Sequence, residues 1–320
     1  MNPLTGDAST RRYYRLFFPN SERPDETFVV MQLESPQPGT ETDYGKLTRF
    51  LSSIGIPVPN LFAYDDIKGI LLIEDCGDLL LQEAVKACRS ERSIRCWYEK
   101  SIDLIVRMQK RATVTMESNC PAHHLKFDVE KFMWEFDFML THYIQGLLGQ
   151  NLTAAEKEEI RNQFKTVCVI LAEEETWFVH RDYHSRNLMI KDGELKVLDF
   201  QDARMGPRQY DLASLLRDSY TELPEELIDA LIDYYIDLMN DNGERFDRKR
   251  FRYIFDLVAL QRNLKAIGTF SFQKICRGNN RYVEDITRTL SHINKTLSRL
   301  PGFSDLRRVL ARRIPGIEPE

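Results

Sequence analysis

No stretch of the 320-residue sequence approaches the ~20 consecutive apolar residues that a membrane-spanning helix requires, so no membrane partner is expected. The first residues, MNPLTGDASTRRYY, contain neither an apolar core nor a small-residue cleavage site. No secretory leader is therefore expected, and a cytoplasmic location is. The six cysteines, at 76, 88, 96, 120, 168 and 276, never form a CxxC pair. That spacing argues against zinc ribbons and disulfide frameworks, and predicts reduced, mostly buried thiols. Zinc-finger spacings, RNP strings and basic–aromatic repeats are also missing, so no nucleic-acid partner is expected. There is no internal repeat and no low-complexity segment.

What is present describes an ordinary globular chain: 42% hydrophobic, 11% aromatic and 29% charged residues. The net charge of −5 conceals an asymmetry. Residues 245–320 carry 17 Lys/Arg against 7 Asp/Glu, so the basic charge is concentrated at the C-terminal end. Such a segment is either a solvated helical surface or one that faces an anionic ligand.

Residues 12–33 give two β-rich runs, RYYRLFF and TFVVMQL, around a turn-like PNSERPDE. A helical stretch near 43–54 stops at Gly55-Ile56-Pro57, and LFAYDD with GILLIED reads as a further hairpin. After Asp75 the pattern becomes helical, near 79–88, 92–111, 128–149, 153–175, 222–241, 247–272 and 281–299. Thr153 and Glu156 have capping-box spacing. One β-rich island, 177–200, interrupts these helices, and its Asp192-Gly193 is a two-residue hairpin signal. The expected fold is α+β with two lobes: a small β-rich unit over 1–76, and a large helical unit over 77–320 with an embedded hairpin.

That hairpin gives the stretch FVHRDYHSRNLMI, with VLDF after it, a chemical meaning. A two-residue turn brings its strand ends together, so Asn187 and Asp199 return to one edge with Asp182 in the loop before them. Phosphoryl transfer needs such an inventory: an acceptor for a hydroxyl proton, and oxygen ligands for a magnesium that bridges nucleotide phosphates. HRD-x4-N followed by DF is the protein-kinase pattern of catalytic loop and metal loop. His180 and His184 are four apart, but in a loop that spacing does not make a metal pair. Only eleven residues separate Asp199 from Asp211, with no DFG and no APE, too short a segment to dock a polypeptide. A small-molecule acceptor is expected.

HRDYHSRN…LDFQDA…GPRQYDLASLLRD resembles the aminoglycoside phosphotransferase/choline kinase superfamily, which has the protein-kinase-like two-lobe fold. Within it, three further strings resemble the bacterial anomeric kinases of N-acetylmuramate and N-acetylglucosamine, which serve cell-wall recycling. These are GDAST-RRYYR (6–15), GILLIEDCGD (69–78) and QRNLKAIGTF (261–270). Together the matches span nearly the whole chain. The resemblance implies ATP and Mg2+, an amino sugar as acceptor, and a monomer. It implies Asp182 as the base, Asn187 and Asp199 as metal ligands, and Asp211 as a structural acceptor for the catalytic loop. Glu74 and Cys76 would fall in the linker whose backbone binds adenine. Gly6, Asp7, Ala8 and Ser9 would form a turn over the phosphates.

One departure stands out. TFVVMQL should carry the lysine that meets the nucleotide phosphates, yet Met31 and Gln32 stand there. Burying phosphates without a cation is costly, so Arg12 and Arg15 beside the GDAST turn are the expected replacements. Arg262 and Lys265, three apart on one helix face, are candidates to clamp the lactyl carboxylate of N-acetylmuramate. Gln201 and Asp202 are candidates for sugar hydroxyls. A choline cage from Trp134, Phe136 and Phe138 is the competing reading of an apolar helix that otherwise belongs to the core. A kinase of another small alcohol, such as an aminoglycoside, choline or homoserine, stays open. So does a non-catalytic nucleotide-binding regulator, although such a protein has no need of a base.

Overall fold

The computed structural model describes residues 2–4, 11–18, 26–36, 38–241 and 243–319. Gly6, Asp7, Ala8 and Ser9, expected to cover the phosphates, lie outside the described residues.

The N-terminal part is a five-stranded antiparallel sheet with one helix. Its elements are β1 (Asn2–Leu4), β2 (Arg12–Phe17), β3 (Thr27–Gln32), α1 (Asp43–Ser53), β4 (Leu61–Asp65) and β5 (Ile70–Glu74), with strand order β1-β2-β3-β5-β4. Alternation divides the sheet into two faces. Val29 and Met31 of β3 and Leu71 and Ile73 of β5 are buried and form the inner face. Cross-strand partners share a face, so Tyr13 (opposite Met31) and Arg15 (opposite Val29) are also inner. Arg12, opposite Gln32, is on the outer face and exposed. α1 starts where the Thr42 hydroxyl accepts the Gly45 N–H, 3.0 Å away, and ends before Gly55, whose φ of 75° suits glycine alone. It buries Tyr44, Leu47 and Leu51 in the core, where each full aliphatic burial contributes about 1.5–3 kcal/mol.

The rest is mostly helical: α2 (Leu81–Ala87), α3 (Glu91–Thr115), the short α4 (Pro121–His124), α5 (Val129–Met139) with a π-helical continuation (Leu140–Leu147), and α6 (Ala154–Ala172). Then come β6 (Thr176–Val179), β7 (Leu188–Lys191), β8 (Glu194–Val197) and β9 (Arg204–Pro207), followed by α7 (Gln209–Leu216), α8 (Glu225–Asp241), α9 (Arg248–Arg277), α10 (Val283–Ser298) and α11 (Ser304–Ala311). The Thr153–Glu156 capping box opens α6. β7 and β8 form the expected hairpin, with Asp192 at φ 53° and Gly193 at φ 79°, as a type I′ turn requires. β6 pairs instead with β9, so the predicted island is two separate ribbons.

α9 is the axis of this lobe, 30 residues and so roughly 45 Å long at 1.5 Å per residue. Asp247 caps its start and Gly278, at φ 67°, its end. It approaches the junction of α5 and the π-helix so closely that a Cβ at Gly268 would lie 2.8 Å from Met139 Cα. One turn earlier on α9, Lys265 and Arg262 reach Asp182 of the 180–187 loop. All six cysteines are unbridged; three are buried, Cys88 is half-buried, and Cys96 and Cys276 are exposed. Among the described residues, no helix is long and apolar enough to cross a membrane.

Candidate active site

The loop from His180 to Asn187 is held by two aspartates, Asp211 in the first turn of α7 and Asp218 just past its end. Asp211 is fully buried; its carboxylate accepts the backbone N–H of His180 (2.7 Å) and of Arg181 (3.0 Å). Asp218, just past the helix, accepts the Ser185 N–H (3.0 Å) and hydroxyl (2.5 Å). Arg181 sits at φ 83°, a conformation costing about 1–3 kcal/mol in a non-glycine residue. The Asp211 bonds hold that strain in place. His180 is buried, with Nε2 2.8 Å from the Leu198 carbonyl, and this contact links the loop to the end of β8. Asp211→Ala leaves two buried N–H groups unpaired at about 1–3 kcal/mol each. A stability loss of about 2–5 kcal/mol is expected in a urea melt, with Asp211→Asn milder because its amide oxygen still accepts.

The hairpin then delivers Asp199 beside Asn187, whose Nδ2 is 3.5 Å from Asp199 Oδ2 and 2.9 Å from the Asp182 carbonyl. Asp199 also has a left-handed φ of 60°, and Gln201 Nε2 donates to its Oδ1 at 2.7 Å. One carboxylate and one amide oxygen suit a hard divalent cation completed by phosphate oxygens and water. Among the described residues no group of three or more His, Cys, Asp or Glu could hold a metal by itself. Gln201, expected at a sugar hydroxyl, meets the Asp199 carboxylate, while the exposed Asp202 lies 3.6 Å from Arg181.

Asp182 is surrounded by cations. Lys265 Nζ is 2.7 Å from its Oδ1, Arg262 3.8 Å away, and Arg181 3.9 Å from Oδ2. Burial alone would raise this carboxyl, but Lys265, Arg181 and Arg262 outweigh it and hold the group well below the usual carboxylate range. Lys265 itself is pushed below an ordinary lysine by burial and by Arg181, against the opposing pull of Asp182 and Glu135. The ammonium expected to clamp a substrate carboxylate is thus paired with the Asp182 carboxylate. Arg262 is buried, its guanidinium 5.5 Å from the Tyr210 ring centroid.

Sequence reasoning missed Glu135. It is 1% exposed on α5, accepts from Gln261 Nε2 at 2.8 Å, and lies 3.3 Å from Arg181 and 3.7 Å from Lys131. Burial opposes its ionisation, yet Lys265, Arg181 and Lys131 lower its pKa. The only signal available was a glutamate within the apolar pattern VEKFMWEFDFM. On the same helix Phe136 is core, stacked on Phe164, whereas Trp134 is 55% exposed, so these aromatics do not close a cage.

The remaining expected nucleotide residues lie at the linker. Arg15 does not point to a phosphate: its guanidinium binds Asp75 (2.5 Å), Asp78 (2.8 Å) and the Gly77 carbonyl (3.1 Å). Glu74, on the outer register opposite Phe28, is held by Lys191 (3.0 Å), Lys196 (2.9 Å) and Asn60 (3.0 Å). Cys76 is buried, and burial pushes its thiol up to about 12, so it is inert. The cavity beside Asp182, Asn187, Asp199, Arg262 and Lys265 is ≈ 230 Å³, below the ~300–1,000 Å³ of drug-sized pockets. A larger groove between α1 and the end of α3 carries none of these residues.

The chain matches a family model described as the phosphotransferase enzyme family, over residues 1–253. The chain belongs to that family. It is 30% identical to the N-acetylmuramate/N-acetylglucosamine kinase of Pseudomonas aeruginosa, over 99% of this chain and 89% of that protein. The enzyme of the same name from Neisseria meningitidis is 28% identical over 98% of this chain and 90% of its own length. Among solved structures, choline kinase from Streptococcus pneumoniae superposes with a TM-score of 0.58 at 15% identity, covering 92% of this chain and 95% of that one. The last likeness bears on the fold alone, and agrees with the expected protein-kinase-like two lobes.

Proposed function

We propose that this phosphotransferase moves the γ-phosphoryl group of ATP to the anomeric hydroxyl of an amino sugar, N-acetylmuramate or N-acetylglucosamine. The lobes divide at residues 76/77, and the reaction takes place between them. Asp182 accepts the hydroxyl proton as the sugar oxygen bonds to the γ-phosphorus and the bond to ADP breaks. A carboxylate kept ionised by three cations is ready for that role without first losing a proton. Asn187 and Asp199 would hold Mg2+, which when bound neutralises charge on the phosphates. Gln201 orients Asp199, and Glu135 fixes Arg181 and Gln261 behind the base.

The observation that carries this reading is the charge around the base. Lys265, Arg262 and Arg181 all face Asp182, so an acceptor that reaches the base meets three cations beside it. Cations placed there suit a sugar bearing a carboxylate better than a polycationic aminoglycoside or choline. Both relatives are named for N-acetylmuramate, which bears a carboxylate, and for N-acetylglucosamine, which does not. A cytoplasmic role in peptidoglycan recycling follows from that substrate class.

The test is ADP release across N-acetylmuramate, N-acetylglucosamine, choline, homoserine and kanamycin. Turnover on at least one of the two amino sugars, at least ~100-fold above the cationic alcohols in kcat/KM, is the expected result. Turnover confined to choline or kanamycin overturns the substrate. MgATP binding without turnover on any alcohol overturns the reaction.

A further inference from the structure

N-Acetylmuramate and N-acetylglucosamine differ in one group, a lactyl ether that only the first carries and that ends in a carboxylate. With the anomeric hydroxyl at Asp182, this carboxylate stands across the sugar ring, away from the base. Its partner is therefore a cation further out than those beside Asp182. A row of charges leads there. Arg181 faces Asp182 with one terminal nitrogen (3.9 Å) and Glu135 with the other (3.3 Å). The Glu135 oxygen that meets Arg181, Oε1, also lies 3.7 Å from Lys131 Nζ. Lys131 is thus one guanidinium and one shared oxygen away from the base.

We propose that Lys131 binds the carboxylate of the acceptor and so sets the preference for N-acetylmuramate over N-acetylglucosamine. The inference rests on the amino-sugar reading and names the residue that tells those two sugars apart. Lys131 is in the first turn of α5, where the Asp128 carboxylate accepts its backbone N–H at 2.8 Å. Its ammonium rests 3.9 Å from the centre of the Trp134 ring, which attracts the charge without using its donors. Glu135, at 3.7 Å, is beyond hydrogen-bond reach, and already receives Gln261 Nε2 (2.8 Å) and Arg181 (3.3 Å). Among the described residues the Lys131 ammonium therefore donates no hydrogen bond, although the residue is half-buried. A donor withdrawn from water with no acceptor is costly, and a ligand carboxylate supplies the acceptor.

The charge balance agrees. Lys131, Arg181, Arg204, Arg262 and Lys265 stand with Glu135, Asp182 and Asp202, five cations to three carboxylates. Arg204, buried on β9, donates Nε to the Asp202 carbonyl at 3.2 Å. Burial pushes Lys131 below an ordinary lysine, and Arg181, Arg204 and Lys265 add to that push against the pull of Glu135. An anion bound at Lys131 offsets the surplus. The ≈ 230 Å³ cavity beside the base reaches Arg181, and a lactyl group extending past Arg181 meets Lys131 next. Trp134 beside Lys131 and Asp202 beside Arg181 are both exposed, so this end of the row opens to solvent.

Steady-state kinetics of the full-length protein on the two sugars, at saturating MgATP, test the proposal. In Lys131→Met, kcat/KM on N-acetylmuramate should fall at least tenfold further than on N-acetylglucosamine, chiefly through KM. Lys131→Arg keeps the charge and should recover most of that selective loss. Lys131→Gln serves the same comparison should the methionine variant fail to fold. Because Lys131 also faces Glu135, a purely structural role would lower both sugars alike. Equal losses on the two sugars, or no loss on either, overturn the proposal. So does a wild type that uses N-acetylglucosamine but not N-acetylmuramate, an outcome that leaves the amino-sugar reading intact. A wild type that turns over neither sugar refutes that reading, and the proposal with it.

Discussion

Asp182→Asn is expected to lower kcat by about 10³-fold or more with the best amino sugar, while MgATP still binds. The amide has the shape of the carboxylate but cannot take a proton at any working pH. It also removes the one negative charge on which Lys265, Arg262 and Arg181 converge. The cleft becomes more positive, so MgATP affinity should hold or tighten, and a thermal melt separates this from a folding defect. A combination of near-zero turnover and retained nucleotide binding is hard to obtain from damage to the fold. A variant that keeps a tenth or more of wild-type kcat would show that the proton leaves by another route, and that Asp182 is not the base.

The parts of this site that were legible in the sequence are those with a local cause. The β7–β8 turn is set by Asp192 and Gly193, because few other residues accept two successive positive φ values. Once the turn is placed, Asn187 and Asp199 must lie at one edge. The resemblance alone suggested a role for Asp211, whose partners lie 30 and 31 positions earlier. Asp218 holds the other end of the same loop through Ser185, 33 positions earlier, and no reading gave it a role because that contact is made only in the fold. Glu135 was hidden for the same reason: its partners come from the catalytic loop and from α9, and its own neighbours look like core.

Arg12 and Arg15 show a different limit. Both read alike in RRYYR, but an odd number of residues along a strand changes the face. Only the register against β3 puts Arg12 outside and ties Arg15 to the linker. Likewise, the pattern over 128–149 reads as one helix, yet it changes to π geometry at Leu140, where α9 presses closest at Gly268.

Lys265 was expected to bind substrate, and the structure gives it another partner, so its replacement distinguishes the two roles. Lys265→Met removes the cation nearest Asp182, leaving burial, which raises the carboxyl, less opposed. The sign follows directly. In the wild type the folded-state pKa is depressed, so the base is ionised above it and the acid limb of kcat/KM falls below the ordinary carboxylate value of about 3.9. In the variant the pKa rises and the limb should move up by at least about one pH unit, equivalent to about 1.4 kcal/mol. At neutral pH, losing a charge aimed at the reacting oxygens should lower kcat by about 10²-fold. The deficit should grow as pH falls toward 5. Lys265→Arg keeps the charge at high pH as well as low, so its acid limb should return toward wild type. A substrate-binding lysine would behave otherwise: the KM for N-acetylmuramate would rise, that for N-acetylglucosamine, which has no lactyl carboxylate, would not, and the limb would stay in place. A fixed limb with a selective KM change would return Lys265 to the acceptor. A moving limb with both sugars affected alike would make it the residue that keeps the base charged.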